Sequence, residues 1–221
     1  MNRLVGLIIL IILSFGQNSL SASEWDWDFK NLNPFNWLKS SHTNDLSYES
    51  LHKDTIGGVA GKEIKIYMLR QAGRMKAADK EALVSVFRKG EVLKISIPSE
   101  YLFLPNDTLV ASFADKKLNP VLTLLNKNLT NLIVVGYSDN TGSKKYIKQI
   151  SVQRANGVAD WFSKKGIAEN RMGVYALGDK HPVFDNKTMY NRSQNRRIVL
   201  YLVPNQKMIK LAKKRELNVR P

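Results

Sequence analysis

The sequence predicts an α/β sandwich, a β-α-β-α-β-β succession with helices on one face of its sheet, preceded by a signal peptide and an aromatic-rich arm. Three observations predict it. From about residue 100 onward, short apolar runs alternate with stretches of helical period, as expected of helices layered on a sheet. At the start, Arg3 precedes the mostly apolar run Leu4 to Phe15 and a small polar stretch through Ser23, the layout of a secretory signal peptide. The 221 residues include no cysteine. An exported chain of this kind must hold together by packing, and a disulfide framework, a thiolate metal site, a Cys nucleophile and a lipobox cysteine are excluded.

The elements follow in order. Residues 1–22 are the expected signal peptide: an apolar run of about 12 residues rises ~18 Å, short of a ~30 Å hydrocarbon core, and Ser19-Leu20-Ser21 suits cleavage. Residues 23–45 form an arm or linker carrying Trp25, Trp27, Phe29, Phe35 and Trp37, with no sustained period. Such a cluster suits docking to a protein partner; a linker folded back on the domain and a membrane contact are the alternatives. Residues 46–98 read as an N-terminal extension with a Gly57-Gly58 break, a helix near Glu63–Gln71, a second helix over 76–88 and a strand from Glu91 to Pro98.

Residues 99–204 are the expected domain, opening on a degenerate strand that ends near Phe103. Asn119 and Pro120 read as N-cap and first residue of a helix, and Asn131 to Gly136 as a buried strand. Ala155, Val158, Ala159 and Phe162 set a helix over 152–164 with Ser151 as its N-cap. Met172–Ala176 and Ile198–Leu202 supply the last strands, and the basic tail 205–221 has a helical option from Lys207 to Arg215.

Charge narrows the function. The formal net charge is +15, and residues after 130 account for +12 of it. That favours an anionic partner, and export demotes nucleic acid. Catalytic patterns are absent: only His42, His52 and His181 occur, no paired-His metal spacing exists, and Gly136-Tyr-Ser138-Asp-Asn140 lacks the second glycine of a nucleophile elbow. No catalytic residue, metal site or cofactor is expected.

One constellation stands out. Asp139 follows a strand end, and Arg154 falls three residues beyond Ser151, in the first turn of the helix expected there. A cation there opposes the helix dipole unless an anion is near. An acid and a base side by side suit a zwitterion bearing an ammonium and a carboxylate, with weak individual contacts that gain avidity along a polymer. The bland alternative is a structural ion pair.

Residues 131–203 resemble the OmpA-like peptidoglycan-binding domain. The resemblance rests on Val135-Gly-Tyr-Ser-Asp139-Asn-Thr-Gly-Ser143, on Ile150-Ser-Val-Gln-Arg154-Ala155, on Leu177-Gly-Asp179, and on Arg192-Ser-Gln-Asn195-Arg196-Arg197. It implies a mixed sheet and a non-enzymatic module in the periplasm, associated with cell wall and outer membrane. It further implies that Asp139 takes the ammonium and Arg154 the carboxylate of diaminopimelate in the peptidoglycan stem peptide. Thr141 and Asn106 would line the pocket, and Arg192 or Arg197 would face anionic groups or hold the loop. A structural ion pair or solvated strand start is the rival reading of Arg196 and Arg197. The chain departs from the family pattern in having Tyr137-Ser138 before the acid, Asn191 before Arg192, and Pro120 within the first helix. The whole layout also resembles OmpA-like subunits of type IVB (Dot/Icm-type) secretion systems, which gives the alternative of an assembly subunit that kept the fold without wall binding.

Overall fold

The computed structural model describes residues 46, 48–52 and 55–217. The signal peptide expected over 1–22, the arm expected over 23–45 and the end of the tail lie outside the described residues, which all belong to the unit Ser40–Pro221. After a short 3-10 turn at Tyr48–His52 come helix α1 (Gly58–Ala78), strands β1 (Leu83–Phe87) and β2 (Val92–Pro98), and helix α2 (Asp115–Leu125). Strand β3 (Thr130–Tyr137), helix α3 (Lys144–Lys164) and strand β4 (Met172–Gly178) follow, then helix α4 (Met189–Asn195), strand β5 (Arg197–Pro204) and helix α5 (Gln206–Lys213). Among the described residues no helix is long and apolar enough to cross a membrane.

The sheet runs β1-β2-β5-β3-β4. Only β3 and β4 are parallel, joined by the α3 crossover; the other neighbours are antiparallel, so the sheet is mixed as the resemblance implied. Period-two alternation sends Ile95, Leu132, Val134, Ile198, Leu200 and Leu202 to one face, where Ile64, Met68, Leu118, Val158, Phe162 and Met208 of the helices cover them. The opposite face carries Ile133, Val135, Tyr137, Val199 and Tyr201, closed by Leu46 and Leu51. Both faces of β3 and β5 are therefore buried, which is why these strands read as continuous apolar runs.

Four expectations change. The helix expected over 76–88 is the end of α1 followed by β1: the β-branched Val84 and Val86 continue as an edge strand once α1 stops at Ala78. The strand from Glu91 to Pro98 is not part of a separate extension. It is β2, hydrogen-bonded to β5 from Leu93↔Leu202 to Pro98↔Arg197, so the boundary expected at 98/99 falls inside one sheet. As part of the same change, β2 takes the place of the degenerate first strand expected to end near Phe103, which forms only an isolated bridge with Val110. Glu91 further ties the segment together, its buried carboxylate accepting the N–H groups of Ile56 (2.8 Å) and Gly57 (3.0 Å) at the start of α1.

The third change concerns α2, which begins at Asp115 and keeps Pro120 in its interior rather than at its first position. Preceding Ser112–Ala114 is already a 3-10 turn, so the chain is winding before the proline arrives. The fourth concerns α3, which begins at Lys144 with Ser143 as cap, its hydroxyl accepting the Tyr146 N–H. Ser151 lies inside the helix and donates to the Lys148 carbonyl at 2.8 Å. Arg154 is accordingly mid-helix, and the dipole argument for its needing an anion does not apply. What α3 does show is a close seam with β3: a Cβ on Gly136 would sit 2.2 Å from the Ser151 carbonyl oxygen.

Candidate functional site

The site forms at the end of the sheet where β3 runs into α3 and α4 runs into β5. Asp139 follows β3 and is 4% exposed. One of its oxygens accepts the Thr141 N–H at 2.8 Å, fixing the loop, and the other accepts from Nη1 of Arg196. Arg196 is partly exposed and links α4 to β5. Carboxylate oxygens have lone pairs beyond these two bonds, so Asp139 retains acceptor capacity.

Arg154 approaches from α3 and is 8% exposed. Its Nε donates to the Asp107 carbonyl at 3.0 Å, and its guanidinium lies over the Phe103 ring, 5.2 Å from the centroid. The Asp107 carboxylate in turn accepts the N–H groups of Thr108 (2.6 Å) and Leu109 (3.0 Å), which hold its pKa below the usual value and shape the turn. Gly157, three residues past Arg154, lets that turn lie on α3: a Cβ there would sit 2.6 Å from the Thr108 carbonyl oxygen. Among the described residues no carboxylate lies within ion-pair distance of Arg154. Burial pushes its pKa down, and Arg196 adds to this, against upward pulls from Tyr146, Asp107 and Asp139. The result is a buried cation, positioned by stacking and one carbonyl, with no direct counter-ion among the described residues.

The remaining residues singled out in the sequence separate into neighbours and supports. Thr141 is exposed beside Asp139 and engages it through its backbone. Asn106 is exposed at a φ of 58° in the turn presented to Arg154; the Asp107 carbonyl, one residue on, makes the contact. Arg192 donates to the carbonyls of Asn186 (2.9 Å) and Lys187 (3.1 Å) and holds their loop. Arg197 is not brought to Asp139. It shares a sheet face with Val199 and Tyr201, stacks 3.9 Å from the Tyr137 ring centroid and donates to the His181 carbonyl at 3.0 Å. Between them, fully buried Asn195 pins the same loop through the N–H groups of Val183 and Phe184 and the Phe184 carbonyl.

The sequence leaves Arg196 out of the pocket residues and offers a structural ion pair for it, which its bond to Asp139 is; it reads Phe103 only as a strand end and does not single out Asp107 or Tyr146. For Arg196 a signal existed: if Val199 and Tyr201 face away from the helices, so does Arg197, and its predecessor must serve the other side. The stacking under Arg154 had none. Chemically the arrangement offers one held carboxylate, one uncompensated guanidinium and a second, partly exposed guanidinium, which suits a dipolar ligand. Among the described residues no cluster of His, Asp and Glu is arranged to hold a metal ion.

The mixed five-stranded sheet, with helices on one face and a charged loop end, is the architecture of an OmpA-like domain, and the sequence match falls within the same region. Residues 102–196 match the model of the OmpA family. The protein named "Probable lipoprotein YiaD" of Escherichia coli (strain K12) is 28% identical over 166 residues, covering 75% of this chain and 76% of that protein. "Peptidoglycan-binding protein ArfA" of Mycobacterium tuberculosis (strain ATCC 25618 / H37Rv) is 40% identical over 63 residues, covering 28% of this chain but only 19% of that protein. Among solved structures, the cell wall anchor of the T6SS from Pseudomonas aeruginosa shares the fold, with a TM-score of 0.54 at 22% identity, over 61% of this chain and 97% of that one.

Proposed function

We propose that this is a non-enzymatic peptidoglycan-binding protein of the periplasm that anchors an envelope assembly to the cell wall and outer membrane, gripping diaminopimelate of the stem peptide. The observation that carries the reading is Arg154, a buried cation with no carboxylate at ion-pair distance among the described residues. A ligand carboxylate supplies the missing counter-ion. Asp139 accepts the ligand ammonium, with Arg196 and the Thr141 N–H orienting it. Asn106 and the exposed side of Thr141 line the entrance, and Arg192 acts indirectly by holding the 186–187 loop. Arg197 acts as a packing residue on the far face of the sheet. The 40% identity to a protein named for peptidoglycan binding supports the ligand class. The aromatic arm, Trp25 to Trp37, is the proposed contact to protein partners.

Sedimentation with purified peptidoglycan tests the reading. The 221-residue chain co-sediments, Asp139→Ala and Arg154→Ala remain in the supernatant, and free diaminopimelate competes. Equal sedimentation by all three proteins defeats the pocket assignment. Absence of sedimentation by the unaltered chain favours the alternative, a structural subunit of an outer-membrane secretion complex. That alternative draws on the internal engagement of Asp139 by Arg196.

A further inference from the structure

Strand β1 ends the sheet, and its only neighbour is β2. Among the described residues nothing pairs with its outer edge. The strand reads Leu83-Val-Ser-Val-Phe87, without a charge, proline or glycine; Leu83 is 57% exposed and Val86 36%. An edge of this kind offers a row of unpaired N–H and C=O groups, and the usual protections are absent from the strand itself. We propose that this edge pairs antiparallel with the same edge of a second copy of the chain, about a two-fold axis through Ser85.

The sequence around Ser85 argues for a second copy rather than a foreign strand. Pairing about that residue sets Leu83 opposite Phe87 and Val84 opposite Val86, so the strand is self-complementary in residue class. Opposed residues in an antiparallel ladder lie on the same side of the sheet, and the faces agree. Val84 packs toward the helix-side core and Phe87 toward the other face, so each copy meets its own kind. The ladder stops at these five pairs, because the chain turns away from the edge at Lys80–Glu81 and again at Arg88–Gly90, where all three residues have positive φ. A one-residue slip exchanges the faces and loses this match. The contact is isologous and closes as a dimer, joining two sheets into one. A five-residue ladder is weak alone. Two copies held on one polymer raise their effective concentration, and the dimer returns the favour by presenting two sites.

The absence of cysteine makes the test direct, because a single introduced thiol is the only one in the chain. With the full chain, mild oxidation of Ser85→Cys is expected to give a disulfide-linked dimer at least ten times faster than Lys164→Cys, an exposed position at the end of α3. Mixed Leu83→Cys and Phe87→Cys chains are expected to cross-link with each other more than with themselves. In sedimentation equilibrium, Val86→Lys, which sets a charge opposite Val84 of the other copy, is expected to weaken the dimer at least tenfold. Circular dichroism establishes that each variant is folded. A folded chain that stays monomeric, equal cross-linking at Ser85→Cys and Lys164→Cys, or a dimer indifferent to Val86→Lys overturns the proposal.

Discussion

Two buried cations sit on the helix side of this sheet in opposite circumstances. Lys117 of α2 is 7% exposed, and its ammonium contacts Asp79 at 2.9 Å and Glu81 at 3.2 Å and lies over the Tyr101 ring, 4.8 Å from the centroid. Arg154 of α3 is 8% exposed and has a carbonyl, a ring and no carboxylate at ion-pair distance among the described residues. The first cation is matched where it stands and fastens the α1–β1 link to α2. The second is held in place without a carboxylate at ion-pair distance among the described residues, as the proposed binding role requires. Equal burial, then, does not set the two cations apart; the count of opposing charges does.

The largest effect should come from spoiling the matched cation. Asp79→Ala leaves Lys117 with only the exposed Glu81 and is expected to cost about 3 kcal/mol in urea unfolding, without changing wall sedimentation of the folded protein. Arg154→Met should do the reverse. Removing an unmatched buried charge keeps stability within about 1 kcal/mol of the unaltered chain, while losing a charge-assisted contact of about 1.5–3 kcal/mol lowers wall affinity at least tenfold. If Arg154→Met destabilises as much as Asp79→Ala, the two cations are alike and the comparison fails.

Gly157→Ala sharpens the same contrast through the backbone. Its methyl would press on the Thr108 carbonyl oxygen from 2.6 Å, moving the turn that supplies the Asp107 carbonyl. An overpacking cost of about 1–2 kcal/mol is expected, with a several-fold drop in wall affinity read by sedimentation. The smallest effect is one of pH. Burial alone pushes the pKa of Lys117 down, but its hydrogen bonds and proximity to Asp79 and Glu81 outweigh this and raise it above 10.5. Its contribution is therefore complete below pH 10.5 and is lost as pH climbs through the raised value. Urea midpoints of the unaltered chain should fall across that window, and those of Lys117→Met should fall less.

How much of this was legible in the sequence depends on where its signals were local. Strand β3 was plain because both of its faces are buried and the apolar run is unbroken. The start of α3 was obscured because its first six residues are mostly polar, and because Ser151, an attractive cap, spends its hydroxyl on the Lys148 carbonyl. Strand β2 was recognised as a strand, but its partner β5 lies a hundred residues away, and nothing local tells which sheet an alternating run will join. At the candidate site, Asp139 and Arg154 were found by pattern. Arg196 and Arg197 required strand parity to tell apart, since neighbours in sequence serve opposite sides of the sheet. The ring of Phe103 beneath Arg154 comes from a loop whose path no periodicity encodes.

The seam between Gly136 and the Ser151 carbonyl has a further consequence. Asp139 lies three residues beyond the first and Arg154 three beyond the second, so both charges are measured from one backbone contact. A main-chain contact has no rotamers to exchange, and side-chain repacking elsewhere cannot lengthen it. On the proposed reading, this seam sets the separation of the two backbone positions that carry the carboxylate and the guanidinium, and the site selects a ligand by the distance between its charged ends.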